Sequence, residues 1–310
     1  MLVAFFGFLL CLATVRSTIS PESDSKRSKY DEMVEIPGGT YRMGTDDEEG
    51  SRDGESPSKI VRVAPFLIDK YPTTNAQFRN FVRSRKYKTE AEDFGWSFVL
   101  EPFIAEDIKK DIKESVPGAP WWLPVKLAYW RQPEGPGSSI KERMNYPAVH
   151  MSWNDARAYC KWAGKRLPTE EEWEVAARGG LKERIYPWGN TFEEKRMNIW
   201  QGKFPKENLA TDGHKGVAPV DAFPSQNKLG MHDMLGNAWE WVSSEFHDPS
   251  GRPSKEKRHV LRGGSYLDSV DGSHNHRIRV TTRMGNTPDS GSDNMTFRCA
   301  EDKPKTKTEL

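Results

Sequence analysis

Four residues in one short stretch carry side chains that could do chemistry together: Asp268, Asp271, His274 and His276. A His-x-His step beside two carboxylates offers ligands for a transition metal, or a donor–acceptor set for acid–base catalysis. The plainer alternative is a polar surface loop, and the Asp-Gly pair at 271–272 is a turn signal. No third clear ligand and no nucleophile stands near the set. Two other stretches are rich in hard oxygen, which calcium takes in sets of roughly six to eight. One is Asn198-Ile199 with Asp212-Gly213-His214. The other runs over residues 233–240, where Asp233 and Glu240 supply carboxylates and Gly236 and Ala238 offer carbonyls across a Gly-Asn turn. By spacing alone such acids more often cap turns or pair with arginine. The chain holds no GxSxG elbow, P-loop or dinucleotide fingerprint.

The scaffold that must position these groups is bounded by composition. The chain has 310 residues and a formal net charge of +1, which gives no electrostatic case for nucleic acid. Its 11 Trp, 21 Pro and 25 Gly suit a loop-rich globule whose core is filled by aromatic anchors. No internal repeat and no clean linker interrupts it, so residues 31–300 are expected to form one α+β domain.

The ends read as addresses. Residues 2–15 are a nearly unbroken apolar run, too short to span a bilayer, closed by Arg16 and Ser17. That predicts a signal peptide over 1–17, a polar segment over 18–30 and no membrane anchor. The last four residues, Lys307-Thr308-Glu309-Leu310, are one substitution from the Lys-Asp-Glu-Leu retrieval address, on a charged tail over 301–310. Together they point to the endoplasmic reticulum lumen. Cys11 leaves with the signal peptide, and Cys160 and Cys299 remain. An even count in an oxidising compartment suggests one disulfide, with two buried thiols as the alternative. Asn294-Met295-Thr296 is the sole glycosylation sequon and makes Asn294 the candidate glycan acceptor of a glycoprotein, with an excluded glycan as the alternative because Phe297-Arg298-Cys299 follows closely.

Local signals place the elements. Alternation over residues 31–45 around Pro37-Gly38-Gly39 predicts a hairpin, and residues 61–68 read as a strand. Thr73 or Thr74 caps a helix to about Arg85 with Phe78, Phe81 and Val82 on one face. Ser152 caps a second, turning Ala156, Tyr159 and Cys160 inward. Thr169 and Glu172 form a capping box for a third, ended by Gly179-Gly180. Residues 91–132 show little periodicity and read as irregular cover. Trp153, Trp162, Trp173, Trp239 and Trp241 fall in core patterns, while Trp121, Trp122 and Trp130 leave room for one to line a groove.

Several ordered blocks carry a resemblance. They are Pro-Thr-Thr-Asn at 72–75, Ser-Trp-Asn-Asp-Ala at 152–156, Gly-Lys-Arg-Leu-Pro-Thr-Glu at 164–170 and Tyr-Pro-Trp-Gly-Asn at 186–190. Further on come Gly-Asn-Ala before Trp-Glu-Trp at 239–241, Arg-Gly-Gly-Ser-Tyr at 262–266, Asn-Thr-Pro-Asp-Ser at 286–290 and Phe-Arg-Cys-Ala at 297–300. This set resembles the formylglycine-generating enzyme family, the sulfatase-modifying factors. The resemblance implies that family's α+β, C-type-lectin-like fold. It also implies a Cys160–Cys299 disulfide and two structural calcium ions, one at Asn198, Ile199, Asp212 and His214, the other at Asp233, Gly236, Ala238 and Glu240.

In active members two cysteines five positions apart bind copper and oxidise a sulfatase cysteine. Here Asp268 stands at the first position and Ser273 near the second, and no cysteine lies between residues 262 and 297. The partners of those members' second disulfide match Ala177 and Val280. Ser265 matches a residue near their reactive centre. The resemblance is therefore to the family's non-catalytic branch, without copper. It implies binding to sulfatases, a heterodimer with the active enzyme or a homodimer, and restraint of sulfatase activation. The alternatives are a calcium-dependent lectin-like binding module and an enzyme of different chemistry at Asp268, Asp271, His274 and His276.

Overall fold

Prolines and capping side chains decide where this chain turns. The structure, a computed structural model, describes residues 28–47, 53–251, 256–272 and 275–303. The expected signal peptide, most of the polar segment at 18–30, the retrieval tail, and Ser273 with His274 lie outside the described residues.

The first strands are β1 (Met33–Ile36), β2 (Gly39–Met43), β3 (Lys59–Val63) and β4 (Phe66–Asp69). β1 pairs antiparallel with β4 and β2 with β3. Ile36 faces Phe66 and Gly39 faces Val63, so both pairings keep one unbroken frame. The two halves part at Pro37 and Pro65, neither of which has an N–H to donate. Gly38 lets them approach, since a Cβ there would meet Pro65 Cδ at 2.7 Å. Residues 31–45 are thus one interrupted strand whose partner is residues 59–69. The hairpin expected around Pro37-Gly38-Gly39 does not form, and the strand expected over 61–68 is broken at Ala64-Pro65.

The next elements are α1 (Asn75–Arg85), α2 (Glu90–Phe94), β5 (Trp96–Leu100), α3 (Glu106–Lys109) and β6 (Trp122–Lys126). Thr74 caps α1 in a reciprocal box with Gln77, as its sequence position suggests. β5 and β6 pair antiparallel from Trp96 opposite Lys126 to Leu100 opposite Trp122. This corrects the expectation of irregular cover over 91–132. No short turn joins the two strands, so the sequence gives no local sign of their pairing.

α4 (Trp153–Trp162) starts at a box between Ser152 and Asp155, and α5 (Glu170–Arg178) at one between Thr169 and Glu172. Each cap satisfies otherwise orphaned N–H groups, typically worth about 1 kcal/mol. The chain ends in β7 (Trp239–Glu245), β8 (His259–Arg262), β9 (Arg283–Asn286), β10 (Met295–Phe297) and β11 (Ala300–Asp302). One sheet has the order β10-β7-β8-β9, with β10 parallel to β7. β11 closes the other beside β4.

Trp173, Trp239 and Trp241 are buried in the core, as expected, and so is Trp130, edge-on to Phe78 at 5.3 Å. Trp153 and Trp162 are half-buried at its margin. Cys160 of α4 bonds Cys299, which sits between β10 and β11, with Cα atoms 5.6 Å apart. Ala177 and Val280, where active relatives would have a second bridge, are buried apolar members of a single core cluster.

The disulfide spans a sequence separation of 139 residues. A Cys160→Ala, Cys299→Ala double variant should therefore lose about 4–5 kcal/mol of unfolding free energy. Urea denaturation with and without reductant checks this: reductant should shift the parent's midpoint and leave the variant's unchanged.

Candidate functional site

The site grows from the end of β8. Arg262 is fully buried and reaches Glu170 Oε1 at 2.8 Å and Glu174 Oε2 at 2.7 Å, which pins this strand end to α5. The chain then turns through Gly263 and Gly264. At Gly264 φ is +73°, and a Cβ would strike Ile278 Cδ1 at 2.4 Å, so only glycine serves.

Asp268 folds the loop that follows. Its Oδ2 accepts from Ser265 N at 2.7 Å and Ser265 Oγ at 3.0 Å. Its Oδ1 accepts from His276 N at 3.1 Å and lies 3.4 Å from His276 Nδ1. Burial works to lower the His276 pKa, but the hydrogen bond and charge of Asp268 outweigh it, so the imidazole titrates above its ordinary value. Asp271 Oδ1 instead accepts from Ser269 Oγ at 2.8 Å. The structure thus joins Asp268 to His276. Among the described residues it gathers no metal-holding group of three or more His, Cys, Asp or Glu side chains.

A cavity of about 410 Å³ opens over this loop. Trp122, Phe98, Trp239 and Met284 wall it, while Ser265, Asp268 and His276 face it. Of the three tryptophans left open by the sequence, Trp122 is the groove residue. Both cysteines of the described chain are tied up in the disulfide, so no thiol reaches the cavity among the described residues.

The far wall depends on groups the sequence reading missed. Asp293 is buried, accepting from Tyr266 Oη at 2.9 Å and Leu100 N at 2.9 Å. Its own N–H donates to Phe98 O at 3.1 Å, so it docks β5 against the site. Burial pushes this carboxyl up to about 7, against the pull of those two hydrogen bonds. Buried His150 adds a second tie, with Nε2 2.9 Å from Pro133 O and Nδ1 2.8 Å from Ser97 Oγ. A carbonyl can only accept, so Nε2 carries the proton toward Pro133, while the Ser97 hydroxyl also lies within donating distance of Gly291 O at 3.1 Å. Burial drives this imidazole down to about 4. Asn294 is also buried, and its Nδ2, where a glycan would attach, donates to Ser265 Oγ at 3.1 Å. The folded chain therefore offers no open acceptor at that sequon.

Contacts join some of the expected calcium ligands. In the first set, Asp212 Oδ2 accepts from Ile199 N at 3.1 Å and Oδ1 from His214 N at 2.9 Å. Asn198 donates to Gly216 O at 2.7 Å, while its own Oδ1 is buried without a hydrogen-bond partner. In the second, burial pushes the Asp233 carboxyl up to about 8, offset in part by Asn237 Nδ2 at 2.8 Å. The orphaned buried oxygen of Asn198 is what a hard cation would satisfy, and the buried Asp233 carboxyl, only partly offset by Asn237, is a second group a cation would neutralise. Glu240 is more heavily engaged: Arg298 and Trp173 take both of its oxygens.

The two sets meet at Asn237, another residue the reading passed over. Its Oδ1 accepts from Asn198 Nδ2 at 3.0 Å, its Nδ2 donates to Asp233, and its carbonyl accepts from Tyr266 N at 3.1 Å. The signal was present: Gly-Asn favours positive φ, and Asn237 has φ of 64°.

A family model described as "Sulfatase-modifying factor enzyme 1-like domain" matches residues 19–303. The chain is 58% identical over 268 residues to "Inactive C-alpha-formylglycine-generating enzyme 2" of Bos taurus, covering 86% of this chain and 87% of that one. It is 50% identical over 282 residues to "Formylglycine-generating enzyme" of Bos taurus, covering 87% and 74%. Among solved structures, PvdO from Pseudomonas aeruginosa superposes with a TM-score of 0.60 at 25% identity, covering 87% of this chain and 94% of that one. CarF, at 18% identity and a TM-score of 0.55, covers 88% and 98% and shares the fold.

The buried carboxyl of Asp293 gives a pH test. Its folded pKa is raised from 3.8 to about 7, so its contribution to stability is complete below about pH 4 and is lost as pH rises through 7. Thermal melts between pH 4 and 8 should show that decline, and Asp293→Asn should make it shallower, the buried Asp233 carboxyl, raised to about 8, contributing the remainder.

Proposed function

The chain belongs to the sulfatase-modifying factor family, and from that premise we propose that it is a non-catalytic member that restrains sulfatase activation. One observation carries the reading. The floor of the cavity is closed by Asp268, whose oxygens are taken by Ser265 and His276, and among the described residues no free thiol stands near it. By the family resemblance, active members hold copper there through two cysteines, and soft thiolates are what select Cu(I). A carboxylate already bound within its own loop cannot replace them.

The cavity itself persists, with aromatic walls and a polar floor that suit an extended peptide. On this reading the protein engages a sulfatase segment, the active enzyme or both, and lowers the yield of oxidised cysteine. It does so in the endoplasmic reticulum lumen, as the apolar N-terminal run and the Lys-Thr-Glu-Leu tail suggest. Pairing with the active enzyme and self-pairing both suit a shared scaffold. Two calcium ions, at Asn198, Ile199, Asp212 and His214 and at Asp233, Gly236, Ala238 and Glu240, would tie the loops beneath the cavity. Their role is charge compensation and bracing, with no part in chemistry.

Mass spectrometry of a sulfatase peptide containing Cys-x-Pro-x-Arg tests the function. The protein alone should leave the peptide unconverted, and titrated into the active enzyme it should lower conversion. If rising peptide concentration relieves the inhibition, the two compete for substrate; if not, they form a heterodimer. Conversion by the protein alone would overturn the reading, and no effect in either experiment would leave a calcium-dependent binding module.

Calcium has its own readout. At a hundredfold excess over Kd, each ion should stabilise the fold by about 2.7 kcal/mol. The melting temperature should fall on chelation and recover with calcium, and Asp212→Ala should remove part of that response. Identical melts with and without calcium would dismiss the ions.

A further inference from the structure

The Asp268 and His276 pair is more than a plug for a lost reactive centre. With Nδ1 of His276 3.4 Å from Asp268, Nε2 is the ring nitrogen that makes no hydrogen bond among the described residues, on a side chain that lines the cavity. The ring sits edge-on to Trp239, with centroids 4.9 Å apart and planes at 76°, which fixes its orientation. Its side chain is 27% exposed, so a ligand entering the cavity can touch it.

We infer that this pair completes a three-membered acid–base arrangement with the cysteine of an incoming extended peptide, capturing its sulfur as a thiolate. This rests on the reading that a cysteine-bearing segment enters the cavity. The step is a proton transfer only. The S–H bond of the peptide cysteine breaks, its proton passes to neutral Nε2 of His276, and the electron pair stays on sulfur. Nothing is oxidised and no co-reactant is consumed. The resulting imidazolium lies between the thiolate and the Asp268 carboxylate.

The surroundings favour that charge pattern. Asp268 acts on one side of the ring, while Asp53 and Glu55, from the segment preceding β3, add to it through space. Glu55 is itself paired with Arg279 at 2.6 Å, which leaves Asp268 as the main balancing charge. A thiol beside an imidazolium titrates below its ordinary value of about 8.5. The apolar walls strengthen such a pair relative to water. The chemistry retained is thus recognition of the thiol, separated from its oxidation.

Fluorescence anisotropy with a labelled Cys-x-Pro-x-Arg peptide and its Cys→Ala counterpart tests the inference. The cysteine peptide should bind about tenfold tighter, roughly the 1.4 kcal/mol of one charge-assisted contact. His276→Gln should erase that difference, the cysteine peptide losing about tenfold more affinity than the alanine peptide, and an unchanged melting temperature should show that the fold is intact. Iodoacetamide trapping of the bound peptide should give a thiol pKa below the free peptide's. Equal binding of the two peptides by the parent, or equal weakening of both in His276→Gln, would overturn the inference and leave peptide binding standing. Failure of both peptides to bind would overturn the inference and would remove substrate capture from the proposed function, leaving pairing with the active enzyme as its route.

Discussion

The buried ion pair of Arg298 and Glu240 is the contact on which the rest of this structure depends. Arg298 is wholly buried, and its guanidinium meets Glu240 through Nε at 2.7 Å and Nη2 at 2.6 Å. The same group donates to the carbonyls of Asp69, Lys70 and His232, and Trp173 donates to Glu240 from α5. One side chain thus joins the end of β4, the loop before the Gly-Asn turn, β7 and the disulfide-bearing segment. An isolated charge at such depth is intolerable, and removing one partner of such a pair typically costs roughly 3–5 kcal/mol. Neither β10 nor β11 is longer than three residues, so polar ties of this kind must do what long strands do elsewhere.

From that hub the site is assembled out of distant pieces. Asn237 connects the two oxygen-rich sets to the backbone of Tyr266, and Tyr266 and Leu100 share the buried carboxylate of Asp293. The cavity over Asp268 is therefore a product of the whole scaffold. None of these ties involves the side chain of Asp268, so they hold the groove whatever residue stands there.

Short-range chemistry was legible in the sequence, and long-range pairing was not. The caps at Thr74, Ser152 and Thr169 sit where their spacing to Gln77, Asp155 and Glu172 places them, because a capping box is a local device. The disulfide followed from there being two cysteines left to pair. The β5–β6 pair was missed because its strands lack a connecting turn, and the hairpin at Pro37 was wrongly expected because alternation says nothing about which strand is the partner. At the site, the absent thiols and the oxygen-rich stretches could be read directly. Asp293 and His150 could not, since each matters only through partners brought near by folding, and Asn237 showed its turn but not its partners.

The central claim is that this chain keeps the family's cavity without its metal-binding thiolates. The most direct measurement is an anaerobic Cu(I) titration against a chromophoric chelator, with the native protein under conditions that preserve the disulfide. The account predicts that the chelator takes all the copper, as it would with no protein present. Retention of one Cu(I) per chain against the chelator, lost on Asp268→Ala or His276→Gln, would contradict it.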